Sequence, residues 1–169
     1  MANDRLQKWA LIAEVMGGIA IIISLIFVGI QFRENTRATR SATANDANAL
    51  TSSWYMELGN NEQSSRLFYR FISDFDSLAP EEKFQMVMKL HSALLSFQNS
   101  FYLAEEGTLD PRIRDTINEA IVVIKDTPGW HYYWENRRPL FFPEFQNFID
   151  ELMKVDREVS QSIYKPVDP

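Results

Sequence analysis

Between Val15 and Ile30 every residue is apolar or small except Ser24, and Trp9, Ala10, Leu11, Ile12 and Ala13 extend the run at one end as Gln31 and Phe32 do at the other. As a helix, residues 9–32 would reach about 36 Å, beyond the roughly 30 Å hydrocarbon thickness of a bilayer. This pattern predicts a transmembrane helix. A signal peptide is the rival reading, because Arg5 and Lys8 form a short basic stretch ahead of the run. Its apolar part would exceed the usual length of about 7–15 residues, and the nearest small-x-small site, Ala42-Thr43-Ala44, lies about ten residues too far on.

Beyond the span the apolar positions fall at helical spacing. Residues 33–58 hold no proline and are closed by Gly59-Asn60-Asn61, which predicts one helix continuing out of the span. A second helix over 62–73 carries Leu67, Phe68, Phe71 and Ile72. A third starts at Pro80 and runs to about 106, with Phe84, Val87, Met88, Leu94, Leu95, Phe101 and Tyr102 on one face and Met86, Leu90, Ala93 and Phe97 on another. Apolar nearly all round, it is expected at the centre of the bundle. Asp110-Pro111 reads as a cap and first-turn proline for a fourth helix, with Ile113, Ile117, Ile121 and Ile124 in line and Pro128-Gly129 as its end. A last helix restarts at Pro143 with Phe145, Phe148, Ile149, Leu152 and Met153.

The expected fold is therefore all-α, an N-terminal transmembrane helix continuing into a soluble helical bundle of about five helices. Its divisions are a short tail at 1–8, the span at 9–32, a helical extension at 33–58, the bundle at 59–160 and a tail at 161–169. The remaining 137 residues suit one domain and are too few for two.

Charge narrows the partners. Asp4 and Glu14 balance Arg5 and Lys8 within the first 32 residues, so the net charge of −6 resides in the rest of the chain. An acidic soluble part disfavours nucleic acid. The absence of cysteine removes disulfides and thiolate chemistry without deciding the compartment. Arg33, Arg37 and Arg40 follow the span against two cations before it, a lean toward a cytoplasmic soluble domain in a bacterial inner membrane. The same arginines share one helical side, where lipid headgroups could meet them.

Within the span, Ala10, Ala13, Gly17, Ala20, Ser24, Phe27 and Gln31 repeat at spacings of three and four, and the small members among them form a seam on which helices can pack. This points to homo-oligomerisation, although Gly and Ala are common in any membrane helix. Glu14 is the ionisable residue beside the apolar run. It reads as interfacial if the bilayer core begins at Val15, as an oligomer contact if buried, and as a relay or pore residue in the sharpest case.

Four stretches carry a family resemblance: Ala13 to Ala20 (Ala-Glu-Val-Met-Gly-Gly-Ile-Ala), Phe27 to Arg37, Leu78-Ala79-Pro80-Glu81-Glu82, and Trp130 to Phe145 with Trp-x-x-Arg-Arg and Phe-Pro-Glu-Phe. Over most of its length the chain resembles a widespread family of small, uncharacterised bacterial membrane proteins. The resemblance implies no activity. Members of that family usually have Thr or Ser where this chain has Ala79 and Phe142, which leaves two helix starts without side-chain caps.

Chemistry is sparse. His91 and His131 are too few for a histidine metal site, and His131 with Glu135 supplies only two ligands. His91 is expected as a hydrogen-bonded core residue and His131 as part of the aromatic packing, with pH sensing as its alternative. Glu81-Glu82 and Glu105-Glu106 are adjacent pairs that cannot converge on one proton. No phosphate loop, nucleophile elbow or di-iron motif occurs, so neither an enzyme nor a cofactor is expected. Trp134, Arg137 and Arg138 are the strongest polar candidates in the soluble part, either clamping an acid of the fold or contacting an anion or acidic partner.

Two functions follow. The first is a membrane-anchored helical interaction or scaffold module that contacts lipids, itself and possibly another membrane protein. The second is a small oligomeric ion channel lined by Glu14, Ser24 and Gln31, disfavoured because Glu14 lies about 80° to 100° around the helix from the other two.

Overall fold

The structure is a computed structural model that describes residues 2–156; the expected tail at 161–169 and the end of the expected bundle lie outside the described residues. The described chain is all-helical, with no strand. Its first helix, α1, runs Ala2–Asn60. The chain divides into two compact units within that helix, residues 1–41 and residues 42–169. The expected extension at 33–58 is thus split at Ala42.

In the first unit every residue from Arg5 onward is exposed, including the whole apolar run. An 18-residue window of α1 has mean hydropathy 2.6 and is long and apolar enough to cross a membrane. Thr36 and Thr39 turn their hydroxyls back onto the carbonyls of Phe32 and Asn35, so these polar side chains are satisfied along the helix itself.

The second unit is a bundle built from the end of α1 and five further helices: α2 (Glu62–Ser73), α3 (Pro80–Glu105), α4 (Pro111–Ile124), α5 (Pro128–Arg137) and α6 (Pro143–Met153). Short 3-10 turns occupy Phe75–Ser77 and Arg138–Leu140. Four of the five new helices place proline in the first turn, where its missing N–H is no loss. Asn61 caps α2 by accepting from the Ser64 N–H at 3.0 Å, and Asp110 caps α4 by accepting from Arg112 at 2.9 Å. Ala79 and Phe142 supply no side-chain cap. Other groups substitute: Glu82 accepts from the Ala79 N–H at 2.9 Å, and Gln98 of α3 accepts from the Phe142 N–H at 3.1 Å. The second bond is tertiary, so α6 starts where α3 permits it.

Pro128-Gly129 begins a helix rather than merely ending one. Thr127 accepts from Trp130 N–H, which converts the expected break into the N-terminus of α5. Gly129 is also the point where α5 meets α2. A Cβ there would fall within contact distance of the Phe71 carbonyl and 2.6 Å from a Phe71 ring carbon, so only glycine fits.

The core gathers Phe71, Met86, Leu94, Trp130, Phe145 and Ile149 from α2, α3, α5 and α6. Leu58 of α1 joins it, and Ala47 of α1 packs with Ala104 and Leu109 in a second small cluster. The Glu57 carboxylate of α1 accepts from Ser64 of α2 and Lys89 of α3, joining three helices through polar atoms. That lysine holds the carboxyl below its usual range. α3 packs on α2 and α4, but it is not enclosed all round: Met86, Val87, Leu90 and Leu94 are buried whereas Phe84, Leu95 and Tyr102 are exposed. Its neighbours cover only part of its circumference. His131, expected within the aromatic packing, is exposed on the outer side of α5, because helical spacing turns it away from the buried Trp130 and Tyr133.

Candidate functional site

Of the three polar candidates of the second unit, Trp134 and Arg138 converge on one carboxylate and Arg137 stands apart. Trp134 is buried on α5, stacked on Trp130 with ring centres 5.9 Å apart and on Phe141 at 5.7 Å. Its indole N–H donates to Asp150 of α6 at 2.9 Å. Arg138, at the start of the following 3-10 turn, grips the same carboxylate through Nη2 at 2.7 Å and Nε at 3.1 Å. Asp150 is thereby held below the usual aspartate range, chiefly by the Arg138 hydrogen bonds, with the Trp134 bond assisting against the opposing effect of burial. Arg138 and Trp134 therefore receive their anion from within the chain. The arrangement ties α5 to α6 and leaves the carboxylate little capacity to act on a ligand.

Arg137 lies one residue earlier and about 100° around the helix, which sends it elsewhere. It forms no ion pair or side-chain hydrogen bond among the described residues and lines an open groove beside the start of α3. Its charge is felt by His91, whose imidazole is held below its ordinary pKa by burial first and by Arg137 second. The His91 Nδ1 sits 2.8 Å from the Tyr133 hydroxyl, and its ring lies 5.2 Å from that of Phe141. Tyr133 is buried and its phenol is pushed upward by desolvation, so it remains protonated throughout the neutral range. The pair is a hydrogen-bonded link between α3 and α5.

In the first unit, Ala10, Ala13, Gly17, Ala20, Ser24 and Gln31 fall along one stripe of α1, all exposed, and a Cβ built on Gly17 would meet nothing. Glu14 lies to one side of the stripe. Arg33, Arg37 and Arg40 share another side, exposed and without an ion pair among the described residues. A helix face lined with small side chains allows close backbone approach, and a cationic row suits anionic oxygen.

Asp150 was not legible as a site residue, because it is far along the chain from Trp134. The local signal for Asp150 was weak: an acid on the polar side of an amphipathic helix. No group of three or more His, Asp or Glu among the described residues is placed to hold a metal ion. Comparison with known proteins returns no matching family model, no matching curated protein and no matching solved structure.

Proposed function

We propose that this protein is a single-pass protein of the bacterial inner membrane whose bundle serves as a non-catalytic interaction module on the cytoplasmic side. The observation that carries the reading is the apolar run of α1, of which no residue is buried. In water, such a surface far exceeds what a soluble monomer exposes, and lipid is the solvent that suits it. The row of Arg33, Arg37 and Arg40 supports a headgroup contact at one end, and the resemblance to small bacterial membrane proteins agrees with it. Self-association through Ala10, Ala13, Gly17, Ala20, Ser24 and Gln31 completes the proposal, since small residues let helices approach and Ser24 and Gln31 can bond across them.

The test is the mass of the full chain in a nanodisc. The proposal expects a small closed oligomer, and Gly17→Leu with Ala20→Leu should return it to a monomer. A wild-type monomer would overturn the seam. A ring of four or more would instead favour the channel, and conductance lost in Ser24→Ala would then establish it.

A further inference from the structure

Leu78, Val87, Phe84 and Tyr132 form the apolar lining of the groove between the start of α3 and the middle of α5, with Pro80, Asn136, Lys83 and Arg137 completing it. Its volume is about 410 Å³, within the range of small-molecule sites. Leu78 and Val87 are buried at its floor, while Phe84 is 63% and Tyr132 43% exposed. Phe75 backs one wall: its ring centre lies 4.7 Å from that of Tyr132, and the Lys83 ammonium sits 4.5 Å over its face.

The charges single out this groove. Among residues 42–156, every Lys and Arg other than Lys83 and Arg137 has a carboxylate within ion-pair distance. Both exceptions line the same groove, and no acid among the described residues lines it. In a chain of net charge −6, two cations lining one groove with no counterion among the described residues create a local positive potential above an apolar floor. The larger cleft beside α2, about 450 Å³, shows the contrast: its Arg66 and Arg70 are neutralised by Glu62 and Glu82.

We propose that this groove binds an organic anion, a carboxylate or phosphate monoester carried on an apolar body. Lys83 supplies a point charge and Arg137 a planar fork that can take two oxygens of the anion. The exposed faces of Phe84 and Tyr132, with Leu78 and Val87 beneath, cover the apolar part. Charge and apolar surface act together, so neither half of the ligand suffices. The site lies wholly within the bundle and stands whether or not α1 enters a membrane.

Calorimetry on the full chain in nanodiscs of neutral lipid tests it, with phenyl phosphate and phenylacetate as probes. Both should bind about tenfold more tightly than neutral phenylethanol or inorganic phosphate. Lys83→Gln and Arg137→Gln should each weaken binding about tenfold with an unchanged melting curve, and Arg66→Gln should leave it unaltered. Nanodiscs containing anionic lipid then separate the sources: loss of probe binding assigns the site to a lipid headgroup, and retention assigns it to a free anion. Equal affinity for phenylethanol, equal affinity for inorganic phosphate, or unchanged binding in the Lys83→Gln/Arg137→Gln double variant would overturn the proposal.

Discussion

Ile21, Ile22 and Ile23 of α1 are more than half exposed, whereas Ile121, Ile124 and Ile149 of the bundle are almost wholly buried. The side chain is the same and the local structure is the same, a helix. What differs is the surrounding sequence. In α4 the isoleucines recur on one face, and in α6 Ile149 shares its buried face with Phe145, with polar residues opposite, so packing one face against neighbours satisfies each helix. Around Ile22 the helix is apolar on every side, and no single neighbouring helix could cover it. A helix apolar all round needs an apolar solvent or several partners, and this difference assigns the two regions different surroundings.

Charging the exposed run should have the largest effect. Ile22→Lys with Ile26→Lys should cost membrane insertion about 5–7 kcal/mol, at roughly 2.5–3.5 kcal/mol per central lysine. Cell fractionation should then find the chain outside the membrane while the thermal unfolding of the bundle stays unchanged. Next in size is Gly129→Ala, which drives a methyl into the Phe71 backbone; it should destabilise the bundle by about 3 kcal/mol, read from chemical denaturation, without altering membrane fractionation. Asp150→Ala removes the acceptor shared by Trp134 and Arg138 and should cost about 1–2 kcal/mol, discounted because the pair is partly solvated.

A smaller effect follows from pH. His91 has a depressed pKa in the fold, so the unfolded chain binds its proton first as pH falls. Its contribution is fully present above the unfolded value of about 6.5 and is lost as pH drops from there toward the folded value. Asp150, also depressed, keeps its contribution until pH falls below about 4, the unfolded carboxylate value. Denaturation midpoints measured across that range should show the upper of the two losses vanish in His91→Gln. The smallest expected change is at Phe84→Ser: its ring is exposed, and stability should shift by no more than about 0.5 kcal/mol.

Much of this architecture could be read along the chain because its signals are local. Proline marked the starts of α3, α4 and α6, at α4 with a capping aspartate before it, and the isoleucine ladder of α4 marked its buried face. Pro128-Gly129 misled because a proline preceded by a capping threonine starts a helix as readily as proline and glycine stop one. The need for glycine there comes from Phe71, on another helix, and no local pattern carries it. The outer side of α3 was misjudged for a related reason: apolar spacing reports which residues can be buried, not how many neighbours arrive to bury them. At Arg137-Arg138 the pattern located both guanidinium groups and could not separate them. Their different fates depend on Asp150 and on the groove wall formed by α3, both distant in sequence.

Membrane insertion of α1 is read from its exposed apolar run, and flotation of the 169-residue chain with neutral vesicles in high salt tests it directly. Neutral lipid and high salt remove the contribution of Arg33, Arg37 and Arg40, leaving insertion of the helix as the cause of co-flotation. Insertion predicts that the intact chain rises with the vesicles, and that it stays with them after an alkaline wash. Recovery of the full-length chain at the bottom of the gradient as a monodisperse soluble species would contradict it.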